Sequence, residues 1–411
     1  MSSAPNPSRG LVTFYALGYV GAYIALITPV ATTLALMVAD LDPEGKLSTL
    51  GFVSAVGALF AMVTNPLAGA LSDRSTSRFG RRRPFIAMGT VGGVIGLAVV
   101  GFAPSILVVF VGWSIAQVSF NVVLAALQAL LPDQIPLAQR AKVSAILGIS
   151  QNVAPVVGVA IATGVIAVGA GLGLVFVIPG LVGAVLLALL VVKLPDRPLE
   201  TSPAPFSLRE FAVGFRPTPG RSADFGLTWF GRFFVILGFS IYTTYQIYFI
   251  TDRIGIDENV TLVQLVAVVI FSIVLAASAV ISGRLSDRWQ RRKVFVYISV
   301  AVVGVGMVML AFTTSLPAFF VAAAVMGVGI GAFFAVDLAL VTDVLPDQEN
   351  AAAKDLGIFN IANALPQSVA PAIAPAILSV GVGGNYTLLF LVAAVLALIG
   401  AAFIVPIKAV R

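Results

Sequence analysis

Two side chains stand where the sequence gives them no water. Arg232 lies in the apolar run "GLTWFGRFFVILGF" and Asp337 in "GVGIGAFFAVDLALV". Charges among hydrocarbon are costly unless they pair or face a water-filled path. Desolvation favours a neutral carboxyl and a neighbouring guanidinium the charged one. An aspartate that alternates between those surroundings can take up and release a proton, which makes Asp337 the candidate proton site and Arg232 its partner. The same two residues would also serve as a permanent structural salt bridge, and the sequence leaves both readings open. Histidine and cysteine are absent, so proton chemistry falls to Asp or Glu. With no thiol, no imidazole, no Gly-rich phosphate loop and no paired carboxylates, the sequence predicts no enzyme, no cofactor and no metal.

A second set of residues is polar but uncharged. Tyr15, Tyr19 and Tyr23 recur at i, i+4 and i+8, a single helix face. Gln117, Asn121 and Gln128 share another face, and Tyr242, Tyr245 and Gln246 follow Arg232 on its own run. Asn360, Asn363 and Gln367 form a fourth group. Amides pair with hydroxyls and rings stack on the apolar faces of sugars, so these residues suit a neutral polyhydroxylated small molecule. The competing reading of an aromatic stripe is ordinary packing or an interfacial belt, which fits Tyr248 best.

What positions these side chains follows from composition. The chain of 411 residues is 59% hydrophobic and 10% charged, too little polar surface to cover a water-soluble globule. It is expected in a bilayer, and apolar helices of about 20 residues cross one. Twelve such runs are expected at 11–38, 47–71, 84–103, 106–131, 142–168, 172–193, 225–250, 260–283, 294–313, 316–341, 353–380 and 386–408. The first is too long for a signal-peptide core and reads as an uncleaved span. Lys46 and Arg253 fall on one side and Arg232 inside a span; the remaining Lys and Arg fall on the side shared by both termini. Basic loops stay in the cytoplasm, so both termini are expected there and the protein in the plasma membrane. The net charge of +6 is therefore a topology signal rather than a nucleic-acid surface.

Several segments recur. Gly69-Ala70-Leu71-Ser72-Asp73-Arg74 returns 214 residues later as Gly283-Arg284-Leu285-Ser286-Asp287-Arg288. Leu131-Pro132-Asp133-Gln134 returns at the same offset, and Gln151-Asn152-Val153-Ala154-Pro155 at an offset of 216 as Gln367-Ser368-Val369-Ala370-Pro371. Matches in one order indicate duplication, and six spans per copy give two parallel repeats. The domains expected are a six-helix bundle over 1–193, a proline-rich linker over 194–224 and a second bundle over 225–411.

The Gly-x-Leu-x-Asp-Arg run followed by Gly80-Arg81-Arg82 resembles the signature loop of the major facilitator superfamily. Within it, "SDRSTSRFGRRRPFI" (72–86) is similar to plant-type sucrose transporters and the related glycoside:cation symporters, with weaker echoes in "LITPV" (26–30), "FITDRIG" (249–255) and "LGIFNIANALPQ" (356–367). The resemblance implies the fold of that superfamily, an all-α membrane protein of twelve spans. It also implies that spans one, four, seven and ten line a central cavity with Arg232 facing Asp337. The sucrose transporters carry an Asp and an Arg in span four, where this chain has Gln117 and Gln128. Neither titrates, so either Asp337 takes the coupling role or the driving ion differs.

The signature loop is expected to act as a gate. Asp73 and Asp287 end their spans where helices of the other half begin, and a carboxylate gains about 0.3–1 kcal/mol at a helix N-terminus. Gly69 and Gly283 would allow close helix approach. Arg74 and Arg288, with Arg81 and Arg82, would hold the loop through nearby acids and lipid phosphates; solvated topology charges account equally for Arg81, Arg82 and Arg83. The function expected is secondary transport by a monomer, a sugar:proton symporter. Proton-coupled efflux of drugs or other small molecules is the alternative.

Overall fold

A bilayer core gives backbone groups no water, so each crossing segment must satisfy its own N–H and C=O groups, and these apolar runs do so as helices. The computed structural model describes residues 9–199, 207, 209, 223–289, 291–344, 352–381 and 384–407, with backbone alone at 9, 338, 339, 341–344 and 352–357. Among the described residues twelve helices are long and apolar enough to cross a membrane, and there is no strand. They are α1 (Gly10–Leu41), α2 (Lys46–Asp73), α3 (Arg83–Gly101), α4 (Ile106–Gln134), α5 (Leu137–Ala167) and α6 (Gly171–Lys193). The others are α7 (Ala223–Ile254), α8 (Val260–Trp289), α9 (Arg292–Phe312), α10 (Leu316–Val344), α11 (Ala352–Leu378) and α12 (Tyr386–Ile404).

Several helices outrun the expected spans. The run drawn at 106–131 continues to Gln134, the one at 260–283 continues to Trp289, and the one at 142–168 starts at Leu137. Hydropathy ends where the hydrocarbon ends, whereas helical hydrogen bonding carries on into the polar turns beyond it. Two wide turns have no counterpart in the sequence reading. α1 is π-helical over Pro29–Thr33, where Pro29 brings no N–H to the ladder. α7 is π-helical over Phe249–Ile254 and ends on left-handed Gly255, φ +79°.

The chain forms two compact units. Unit 1 comprises Met1–Thr49 and Val56–Phe206, unit 2 Leu50–Ala55 and Ser207–Arg411. In unit 1, α1 packs with α4, α5 and α6, α3 with α4 and α6, and α5 with α6. In unit 2, α7 packs with α10, α11 and α12, α9 with α10 and α12, and α11 with α12. These six pairings correspond in order, as expected of a duplicated sequence, and unit 2 adds a close packing of α8 on α10 that α2 and α4 do not match. Glycine lets two of the crossings close: a Cβ on Gly96 would lie 2.6 Å from Ala116 N, and one on Gly329 would lie 2.7 Å from Val303 N. Most of the segment read as a linker, residues 200–206, 208 and 210–222, lies outside the described residues.

Candidate functional site

Unit 2 brings α7, α10 and α11 together around one guanidinium. Arg232 of α7 forms an ion pair through Nη1 with Asp337 Oδ2 of α10. Its Nε donates to Asn363 Oδ1 of α11 at 2.6 Å, and its Cζ sits 4.9 Å from the centroid of the Phe359 ring. Asp337 is 1% exposed, so Arg232 and not solvent balances its charge. Asn363 Nδ2 donates to Asn360 Oδ1 at 3.4 Å, and Gln367 Nε2 donates to the Asn363 carbonyl at 3.0 Å. Asn360 and Gln367 are exposed, one turn to either side of the Asn363 that holds Arg232. Phe225 meets Phe359 edge to face at 6.1 Å, with Trp229 and Ile358 packed on them. This apolar wall keeps water from the covered face of the guanidinium and preserves the cation–π contact.

The remaining α7 residues divide. Gln246 Nε2 donates to Tyr242 Oη at 2.9 Å, and Gln264 Nε2 of α8 donates to Gln246 Oε1 at 3.3 Å. Tyr245 Oη donates to the Pro371 carbonyl at 3.2 Å. Four residues on, Pro375 has no N–H to offer that carbonyl, which assigns Tyr245 a backbone-satisfying task rather than a free hydroxyl.

In unit 1 the tyrosine ladder forms. Tyr19 meets Tyr15 edge to face at 5.3 Å and stacks on Tyr23 at 6.0 Å. Tyr15 Oη donates to the Leu127 carbonyl at 2.6 Å, and Gln151 Nε2 donates to Tyr23 Oη at 3.0 Å. Asn121 Nδ2 donates to the Gln117 carbonyl at 2.8 Å and to Gln117 Oε1 at 3.3 Å, both residues buried. Gln128 is exposed further along α4.

The basic loop of unit 1 is a folded object, which corrects the reading of Arg81, Arg82 and Arg83 as solvated charges. Arg82 is 2% exposed and holds three partners, Asp73 Oδ1, Ser72 Oγ and, at 2.9 Å, Asp133 Oδ2 of α4. Arg81 pairs with the same Asp133 oxygen at 2.6 Å, and Arg83 donates to the Leu194 carbonyl. Asp196 Oδ2 accepts the backbone N–H of Arg82 at 2.6 Å and of Arg83 at 2.8 Å, capping α3. Gly80 makes room for that carboxylate: its φ is +105°, and a Cβ there would fall 2.5 Å from Asp196 Cγ. Arg74 donates to the Ala70 carbonyl of its own helix at 3.1 Å.

Within their own units, neither Gly69 nor Gly283 sits at a close helix crossing. A Cβ on Gly69 would have no atom of its unit within 4 Å, and one on Gly283 would meet only the Ala335 Cβ, at 3.9 Å. Asp287 and Arg288 are exposed at the end of α8.

Phe359, Gln264 and Asp196 were not singled out from the sequence. Asp196 carried a signal, because Leu194-Pro195-Asp196 repeats the Leu131-Pro132-Asp133 string whose acid also holds the loop.

A family model described as Major Facilitator Superfamily matches residues 11–224 and 228–410. Over 74 residues the chain is 40% identical to Proton-associated sugar transporter A of Homo sapiens, covering 18% of this chain and 9% of that protein. It is 45% identical over 58 residues to Sucrose transport protein SUC4 of Arabidopsis thaliana, covering 14% of this chain and 10% of that protein. These matches span at most a tenth of the relatives' length. The crystal structure of nucleoside transporter NupG (D323A mutant) superposes with a TM-score of 0.76 at 14% identity, covering 97% of this chain and 100% of that one.

Proposed function

From the premise that the chain belongs to the Major Facilitator Superfamily and is a multi-pass membrane transporter, we propose that it is a sugar:proton symporter working by alternating access. The observation that carries this reading is the Arg232–Asp337 pair, buried together deep in unit 2 and continued by amides to exposed Asn360 and Gln367. Residues 1–193 and 225–411 act as the two repeats, joined through 194–224. Asp337 holds the proton when Arg232 releases it, and Arg232 holds Asp337 when the proton has left. Tyr19, Gln117, Asn121, Gln128, Tyr242, Gln246, Asn360, Asn363 and Gln367 supply hydroxyl-binding and ring-stacking contacts. The two named sugar-transporter relatives support the substrate class. The charge asymmetry of the loops supports cytoplasmic termini in the plasma membrane, and the protein acts as a monomer.

The test is pH recorded outside lightly buffered proteoliposomes as each of a panel of sugars is added, for the native protein and Asp337→Asn. Alkalinisation with one sugar, lost in the variant, is the expected result. Unchanged pH with every sugar, together with expulsion of a cationic dye under an imposed proton gradient, would replace symport with efflux.

A further inference from the structure

We propose that the α9 end of unit 2 binds the phosphate of an anionic phospholipid, which does there what the Asp196 carboxylate does for α3 in unit 1. This lipid site is separate from the transported molecule and does not depend on which substrate is carried.

The internal repeat leads to it. Arg83 donates to the Leu194 carbonyl in unit 1, and Lys293 donates to the Ile407 carbonyl in unit 2. These contacts align Arg81-Arg82-Arg83 with Arg291-Arg292-Lys293 and the start of α3 with the start of α9. Two residues after Leu194 stands Asp196, whose Oδ2 accepts the backbone N–H of Arg82 at 2.6 Å and of Arg83 at 2.8 Å. Two residues after Ile407 stands Ala409, outside the described residues, and the sequence has no Asp or Glu after Asp355. Arg291, at the N-cap of α9, makes no side-chain cap, and the first turn holds no acid. A helix N-terminus favours an anion, and the segment after α12 supplies none.

The side chains at that end suit a phosphate. Ser286 Oγ, near the end of α8, is buried without a hydrogen-bond partner among the described residues. Its counterpart Ser72 Oγ accepts from Arg82 at the start of α3, so the repeat directs this hydroxyl toward the start of α9. A buried hydroxyl without a partner is costly, and a phosphate oxygen accepts from it. Arg284, Arg288 and Arg291 are exposed and form no ion pair among the described residues, whereas Arg81, the counterpart of Arg291, is held by Asp133 at 2.6 Å. Asp287 beside them is exposed, and Asp347, the counterpart of Asp133, lies outside the described residues. Guanidinium forks bind phosphate oxygens in pairs. A lipid fits better than a free phosphate because α9 is a crossing helix, so its first turn lies at headgroup depth. Exposed Trp289, Val294 and Ile298 give the acyl chains an apolar surface beside that turn, and tryptophan favours the interface.

The experiment follows thermal unfolding of the purified, delipidated native protein in a neutral detergent as phosphatidylglycerol, phosphatidylcholine or inorganic phosphate is added. Phosphatidylglycerol is expected to raise the melting temperature by about 3 °C or more beyond phosphatidylcholine, and inorganic phosphate to leave it unchanged. Equal shifts with the two lipids overturn the proposal. A shift with inorganic phosphate as large as with phosphatidylglycerol replaces the lipid with a free anion. Arg288→Gln combined with Arg291→Gln should remove most of the phosphatidylglycerol shift, while Arg78→Gln in the unit 1 loop should keep it; the reverse pattern overturns the assignment to unit 2. Ala409→Asp gives α9 the carboxylate that α3 has. It is expected to raise the melting temperature without lipid and to lose most of the phosphatidylglycerol shift. If the shift survives in full, the lipid does not stand in for Asp196 and the proposal fails. Should a variant not fold, the native contrast between the two lipids and the remaining variants decide.

Discussion

Tyr19 and Arg232 occupy corresponding places in the two units. Gly18 lies against α6, where its Cβ would be 2.6 Å from Leu190 Cδ2, and Gly231 lies against α12, where its Cβ would be 3.0 Å from Ile404 Cγ1. The residue after each glycine therefore leaves the helix in the same direction. In unit 1 that residue is a phenol set edge to face with Tyr15 and stacked on Tyr23; in unit 2 it is a guanidinium tied to Asp337, Asn363 and Phe359. α1 packs with α4, α5 and α6 as α7 packs with α10, α11 and α12, and unit 1 makes those pairings with no charge at this place. Burying an ion pair costs desolvation, and the proposed symport gives this one a use that its counterpart in unit 1 does not need.

Asp337→Leu leaves Arg232 facing hydrocarbon, and unfolding in detergent is expected to show a loss of about 3–5 kcal/mol. Arg232→Tyr combined with Asp337→Leu makes the place resemble unit 1 and is expected to regain most of that loss while abolishing proton-driven uptake. If the double variant is as unstable as the single one, the pair is structural and the comparison fails.

The basic ends of the two units differ as well. Lys293 donates to the Ile407 carbonyl at the start of α9, as Arg83 donates to the Leu194 carbonyl at the start of α3. Unit 1 adds Asp196, a carboxylate seated against Gly80. Gly80→Ala forces a Cβ into that carboxylate at positive φ and should cost about 1–3 kcal/mol, seen as a lowered melting temperature and partly recovered by Asp196→Gly. Asp196→Ala alone removes the cap of α3 and is expected to cost about 1 kcal/mol. At the small end, Tyr19→Phe keeps the ring ladder and should leave stability within about 0.5 kcal/mol; sugar affinity measured on the same variant then isolates the hydroxyl.

What the sequence made legible follows from how local each signal is. The helices were legible because an apolar run of bilayer length has few alternatives. Arg232 and Asp337 were legible because a charge inside such a run is conspicuous, and the Asn360, Asn363 and Gln367 face because it lies on one helix. Phe359 was not, since a ring that covers a guanidinium looks like any other core ring until α7 and α11 are in register. Gln264 stands alone on α8, and its partner Gln246 lies on another helix. The burial of Arg82 depends on Asp133, 51 residues away, and on Asp196 in what reads as linker. The π-helical turns were illegible for a similar reason: Pro29 marks one, but α7 has no proline at the other.

The account rests on Asp337 carrying the proton, and the most direct test separates exchange from accumulation in Asp337→Asn, using whichever sugar raises the external pH with the native protein. Proteoliposomes loaded with unlabelled sugar should still exchange it for labelled sugar outside, because exchange needs no proton release, while an imposed pH gradient should drive no accumulation. Accumulation at the native level in Asp337→Asn would place the proton elsewhere and contradict the account.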